Sequence, residues 1–296
     1  MTDKLNPAAA GLCQLGDRHV TRVGYGAMRL RRPAVSGTSW DLDEAVSVLR
    51  RAVELGVTHI DTGDFYGPHI ANRIIRRVLR PYPEAVCLAT KVGIQHSRDG
   101  TWLPAARPEQ LQQAVCDNLR NLGLEVLEVV NLHLGGAGDP SCPAAMDCPV
   151  EEQFGVLAGL RDKGWIQHLG LSNATVEHMQ RARAIVPLAC VQNRYNVANR
   201  GSELVLTECE ATGVAFVPFF PMRHLTAPAL AALGDSAVHL GASIAQVSLA
   251  WLLTHSANIL ITPTTARLAH LQQNIAAAAI DLPDHIITTL DSVSPP

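Results

Sequence analysis

The stretch Thr58-His59-Ile60-Asp61-Thr62-Gly63-Asp64-Phe65-Tyr66-Gly67, entered through Gly56-Val57, decides how the chain is read. Gly56 stops a helical pattern, and positions 57–60 form a short apolar, β-branched run that predicts a strand. Asp61 stands where that run ends, and an acid at the end of a buried strand is costly without a partner. Five residues on, Tyr66 puts a phenol in the following loop. Taken alone, the pattern equally describes an aspartate bonding loop amides beside an ordinary half-buried aromatic. The residues at equivalent points of the other strands decide between the two.

Working outward, the same strand–loop–helix unit recurs. A small hairpin is expected over 12–21, turning at Gly16-Asp17, and a first strand over 22–28. Asp41, with Glu44 three residues on, opens a helix whose apolar set Ala45, Val46, Val48, Leu49, Ala52 and Val53 falls at helical spacing. Helix 71–79 then leads to strand 85–90, helix 108–121 to strand 127–132, and helix 150–162 to strand 166–171. Helix 175–185 leads to strand 188–191, helix 202–211 to strand 214–217, and helix 243–255 to strand 258–261. A last helix follows at about 267–279, which makes eight units with no break in composition.

Two features favour a closed (β/α)8 TIM barrel over an open doubly wound sheet. Gly24-Tyr25-Gly26 is followed by a loop of about a dozen residues, so the glycine-rich turn of a dinucleotide-binding open sheet is missing. Helix-to-strand turns are tight and marked by Gly56, Gly123, Gly164 and Gly213, whereas the strand-to-helix loops 29–40, 92–107, 135–149 and 218–242 are long. In such a barrel the long loops gather on one face, where active sites are built. The expected organisation is a loosely attached 1–11 followed by one barrel domain over 12–296.

The totals agree. At 296 residues with 47% apolar and 4% aromatic residues, a large core must be built from Ala, Val, Leu and Ile. A net charge of −3, mixed along the chain, gives no reason to expect nucleic acid or an anionic membrane as partner. No uncharged apolar run reaches the roughly 18 residues of a membrane span. The first eleven residues lack a secretory pattern, so a cytoplasmic location is expected. Seven scattered cysteines read as free thiols, Cys142 and Cys148 sharing one loop.

With the strands placed, their C-terminal ends can be read in order. Asp61 closes strand 2, Lys91 closes strand 3, His133 ends strand 4, Ser172-Asn173 closes strand 5 and Gln192-Asn193 strand 6. A lone lysine reads as surface and a lone histidine as a hydrogen-bonded core residue. A barrel sets strands 2, 3 and 4 side by side, so Asp61, Lys91 and His133 converge, with Tyr66 above them. A phenol, with a pKa of about 10, is a poor acid near neutrality. A lysine ammonium within hydrogen-bond reach stabilises phenolate, a carboxylate keeps the lysine charged, and an imidazole can orient a carbonyl oxygen. The set suits proton transfer to a developing alkoxide. No metal-ligand spacing and no glycosidase carboxylate pair is evident.

These residues, with Gly24-Tyr25-Gly26-Ala27-Met28, Ala89-Thr90-Lys91, Asn131-Leu132-His133, Leu169-Gly170-Leu171-Ser172-Asn173, Val191-Gln192-Asn193-Arg194-Tyr195-Asn196 and Pro263…Gln273-Asn274, resemble an aldo-keto reductase over nearly the whole chain. The resemblance implies an NADP(H)-dependent reduction of an aldehyde or ketone, with NAD(H) used less well. It implies a tetrad of Asp61, Tyr66, Lys91 and His133, with Tyr66 the acid. Ser172, Asn173 and Gln192 would hold the nicotinamide carboxamide, and Gly26, Ala27, Met28 and Asp61 would lie along its ribose. Phe216 stands where the family usually stacks a tyrosine on the nicotinamide, and Val217, Pro218, Phe219 and Arg223 follow toward the pyrophosphate. After strand 8, Thr264, Thr265, Arg267, His270, Gln273 and Asn274 fall where the resemblance implies the 2′-phosphate end, although no lysine follows Pro263. Trp40, Phe65 and Trp102 are candidates for a small-molecule carbonyl pocket. Two other classes use such a barrel: a dinucleotide-binding regulatory subunit with little turnover, and a lyase or isomerase without a redox cofactor. The intact tetrad opposes the first, and Ser172, Asn173 and Gln192 oppose the second. Oligomeric state is not legible.

Overall fold

A computed structural model of the chain describes residues 5–30, 42–96, 101–135 and 148–293. Two strands, β1 (Leu12–Leu15) and β2 (Arg18–Thr21), pair antiparallel around Gly16-Asp17. Strands and helices then alternate: β3 (Tyr25–Gly26), α1 (Leu42–Glu54), β4 (His59–Asp61), α2 (Ile70–Leu79), β5 (Cys87–His96), β6 (Trp102–Ala105), α3 (Pro108–Leu122) and β7 (Leu127–His133). The alternation continues through α4 (Val150–Asp162), β8 (Ile166–Ser172), α5 (Val176–Arg183), β9 (Leu188–Arg194), α6 (Glu203–Thr212) and β10 (Ala215–Phe219). Four helices finish the chain: α7 (Ala227–Leu240), α8 (Ile244–His255), α9 (Leu268–Ala276) and α10 (Asp284–Asp291).

The main sheet is parallel, in the order β3-β4-β5-β7-β8-β9-β10. The segment expected as strand 8 makes isolated parallel bridges at both ends of that order, Ile259 to Phe216 and Ile261 to Val23, with Thr264 bridging Gly26. Gly26 admits this approach because a Cβ there would stand 2.5 Å from the Thr262 carbonyl oxygen. Tyr25 donates its hydroxyl to the Thr265 carbonyl at 2.7 Å and so pins the end of the same segment.

Packing separates two layers. Small inward residues, among them Cys87, Ala89, Val129, Cys190, Ala215, Val217 and Leu260, cluster with Leu15 and Val20 of the hairpin. A larger buried cluster, running from Val23 to Val293, joins the outer strand faces to the helices. Side-chain caps open α5 and α8: Thr175 accepts from the His178 amide, and Ser243 and Gln246 form a reciprocal box. The Asp41 cap lies outside the described residues.

Three expectations need correction. The stretch 218–242, read as loop, contains α7, capped by Thr226 with Pro228 in its first turn and Gly241 in the left-handed region at its end. Its Ala-rich face blurs the apolar periodicity on which the reading relied. Beyond the expected last helix there is α10, which buries Ile286 and Leu290. Lys91 does not close its strand: β5 runs on to His96, because β6 folds back antiparallel and prolongs the ladder, pairing Gly93 with Ala105 and His96 with Trp102.

Candidate active site

The ends of β4 and β7 and the middle of β5 bring the first three site residues together. Asp61 ends β4, Lys91 lies one strand over on β5, and His133 ends β7. The Lys91 ammonium donates to both Asp61 oxygens, at 2.7 and 2.6 Å, and to the Thr62 carbonyl at 2.9 Å. Gln192 donates to the same carboxylate at 2.8 Å. Lys91 is 7% exposed, so the ion pair is desolvated and tightly held. Burial works against the charged ammonium. The Asp61 carboxylate, and then the oxygen of Tyr66, outweigh it and hold the Lys91 pKa above its ordinary value.

Tyr66 hangs over this pair. Its hydroxyl is within hydrogen-bond reach of Lys91, whose Nζ lies 5.4 Å from the ring centroid. A turn built on the Gly63 carbonyl, which accepts from the Tyr66 amide at 2.9 Å, carries the phenol to that position. Phe65 meets the Tyr66 ring edge-on at 4.9 Å and Trp102 edge-on at 5.1 Å. His133 accepts from the Gly135 amide at Nδ1, 3.1 Å, which assigns the proton of a neutral ring to Nε2. Tyr66, Lys91, Asp61 and His133 all line one cleft of about 470 Å³.

The cleft continues away from the tetrad along Met28, Ser172, Gln192, Val217 and Phe219 to Thr264, Thr265, His270, Gln273 and Asn274 at the start of α9. Asn193 holds the loop after β8 in a two-way clamp, accepting from the Ala174 amide and donating to its carbonyl. That clamp supports Asn173, whose φ of 59° is the left-handed conformation that asparagine tolerates. The buried Asn173 side-chain nitrogen has no hydrogen-bond partner among the described residues. Arg223 stacks its guanidinium on Phe220 at 4.6 Å, and Asn196 fixes that loop by donating to the Phe220 and Arg223 carbonyls. The cleft wall thus offers amide donors at one end and cationic or helix-terminal donors further along. That series matches the carboxamide, pyrophosphate and phosphate of a dinucleotide.

Several expected residues stand elsewhere. Phe216 is fully buried, edge-on to Tyr195 at 5.7 Å in the helix-side core. Alternation along β10 aims Val217 and Phe219 at the cleft instead, so Phe216 is not the stacking residue. Gly26, Ala27, Asn173 and Pro218 back the cleft without forming its wall, and Trp40 lies outside the described residues. Arg267 caps α9 with an exposed side chain off the wall. The Thr265 hydroxyl is engaged locally, accepting from the Arg267 amide at 3.0 Å. Phe65 and Trp102 do line the cleft, joined by Ile94, Met222, Ala245 and Leu249. Those four were missed because an apolar residue on a cleft wall carries the same sequence signal as one in the core.

The buried Asp61, Lys91, Tyr66 and His133 and the donor-lined cleft on a parallel α/β sheet fit an oxidoreductase, the class that the comparisons give. The family model described as the aldo/keto reductase family matches residues 22–295; the chain belongs to this family. Over 280 residues it is 46% identical to the pyridoxine 4-dehydrogenase of Escherichia coli K12, covering 95% of this chain and 97% of that one. Among solved structures it resembles a thermostable aldo-keto reductase in complex with the inhibitor epalrestat, with a TM-score of 0.79 and 26% identity over 95% of this chain and 99% of that one. An aldo/keto reductase from Klebsiella pneumoniae, in complex with NADP and acetate, gives a TM-score of 0.77 and 25% identity over 96% and 95% of the two chains. No single helix among the described residues is long and apolar enough to cross a membrane.

Proposed function

We propose that this protein is an NADPH-dependent oxidoreductase that interconverts an aldehyde or ketone with its alcohol, Tyr66 delivering the proton in reduction. We further infer that residues 12–296 form one domain and that segment 259–264 closes the sheet as the eighth element of a barrel. The observation that carries the reading is the desolvated Lys91–Asp61 pair with the Tyr66 hydroxyl in reach of the ammonium. When bound, the nicotinamide supplies hydride to the carbonyl carbon or accepts it from the carbinol carbon. Ser172, Asn173 and Gln192 would hold its carboxamide, and Val217 and Phe219 would face its ring. The Nε2 proton of His133 orients the carbonyl oxygen, and Tyr66 donates to that oxygen as negative charge develops.

The substrate class is supported by the relative at 46% identity, named for dehydrogenation of pyridoxine. Phe65 and Trp102 beside Tyr66 suit a planar ring, so pyridoxine and the aldehyde its dehydrogenation gives are the substrates assigned. Purified protein mixed with that aldehyde and NADPH, or with pyridoxine and NADP⁺, is expected to turn over, faster than with simple aliphatic aldehydes. If NADPH binds in a titration and no carbonyl accelerates its oxidation, the chain is a binding module instead.

Cofactor preference is the next expected outcome. Arg267 and His270 flank the start of α9, where free amides favour an anion. A charged hydrogen bond is typically worth about 1.5–3 kcal/mol, so one arginine supports roughly a ten- to hundredfold preference for NADPH. Arg267→Ala should erode that margin and leave NADH kinetics nearly unchanged. Equal dissociation constants for the two cofactors in the unmodified protein would mean that Arg267 points elsewhere.

A further inference from the structure

Behind the Tyr66 loop, between α2, α3 and the strands, lies a polar cluster that forms no part of the cleft wall. Asp64 is 6% exposed, and its carboxylate accepts from Asn72 at 3.0 Å, from Asn121 at 3.0 and 3.2 Å, and from His69 Nδ1 at 2.6 Å. Asn72 also accepts from the Thr62 hydroxyl at 2.8 Å and donates to Asn118 at 2.9 Å, and Asn118 accepts from the Thr90 hydroxyl at 2.6 Å. Thr62 follows Asp61 and Thr90 precedes Lys91, while Asp64 lies two residues before Tyr66. One connected set of side chains therefore ties the loop that carries the phenol to the neighbours of both members of the ion pair.

Such a network is an expensive way to fill space. Burying a carboxylate and three amides costs free energy that apolar side chains would not incur, and full satisfaction returns geometric definition more than stability. Three donor residues converge on Asp64 from three points: the helix entrance at His69, the first turn of α2 at Asn72, and the end of α3 at Asn121. The loop is also cross-braced by its backbone, the His69 amide donating to the Asp64 carbonyl and the Ala71 amide to the Tyr66 carbonyl.

We propose that Asp64, held by Asn72, Asn121 and His69, is a positioning residue that sets the Tyr66 hydroxyl against the Lys91–Asp61 pair. The proposal rests on Tyr66 being the proton donor. The ties to Thr62 and Thr90 anchor the network, and its proposed effect on the rate runs through the placement of the Tyr66 hydroxyl, so its loss should matter only where that hydroxyl is present. Asp64→Asn puts a donor where the carboxylate accepts, and Asn121→Ser is the milder variant, removing two donor contacts at the helix end while Asp64 stays.

The experiment is a double-mutant cycle. Each variant is made in the unmodified protein and in Tyr66→Phe, with kcat, KM and NADPH dissociation constant measured well below the melting temperature. A misplacement of about 1 Å can cost up to about 100-fold in rate, so a loss of about 10- to 100-fold in kcat is expected for Asp64→Asn. A smaller loss is expected for Asn121→Ser, with NADPH affinity unchanged in both. In the Tyr66→Phe background neither substitution should lower the residual rate further. Equal losses in both backgrounds, or unchanged kcat in a folded variant, overturn the positioning role and leave Tyr66 as donor. If Asp64→Asn does not fold, the Asn121→Ser cycle decides by the same criteria. A Tyr66→Phe protein with full activity overturns both.

Discussion

Tyr66→Phe is expected to lower the proposed carbonyl reduction by at least about 10²-fold, the scale of general acid catalysis, and to leave NADPH binding nearly unchanged. The phenyl ring keeps its edge-on contact with Phe65 and its place beside Lys91, so only the proton-bearing oxygen is lost. The Lys91–Asp61 pair does not depend on the hydroxyl, because Lys91 donates to Asp61 and to the Thr62 carbonyl. Melting temperature and cofactor titration should therefore match the parent while kcat collapses. A variant that retains most of its rate would remove Tyr66 from the chemistry and move attention to His133.

Lys91→Met is expected to act in two ways that separate cleanly. Without the cation, phenolate is less stabilised, so the alkaline limb of the pH–rate profile should move to higher pH as the rate falls. The Asp61 carboxylate is left buried with Gln192 donating to it, and breaking a buried pair on one side typically costs about 3–5 kcal/mol. Thermal unfolding reads the second effect and the pH profile reads the first. Asp61→Asn should also slow the reaction. Its amide nitrogen would face either the Lys91 ammonium or the Gln192 amide, both donors, and weaker cofactor binding is expected if Asp61 borders the ribose. Unchanged pH–rate profiles in both variants would reduce the pair to a structural role.

The apolar face 57–60 followed by Asp61, the glycine-marked turns and the long loops after strands determined a parallel α/β arrangement directly from the chain. They did so because strand and helix periodicities are local properties that survive without any knowledge of contacts. The proposed catalytic quartet was legible for the same reason: a charged or phenolic residue near a strand end is conspicuous against an apolar run. Only tertiary structure decided which way β10 points its alternating side chains: it turns Phe216 into the core, while Val217 and Phe219, expected along the cofactor, line the cleft. A shift of one residue along a strand inverts every side chain, and no sequence signal fixes that phase when both faces are apolar. The extension of β5 beyond Lys91 arose from pairing with β6, a non-local contact. The Asp64 cluster was equally hidden: Asn118 and Asn121 sit more than forty residues away from the loop they brace, on a helix whose own pattern gives them no reason to be buried.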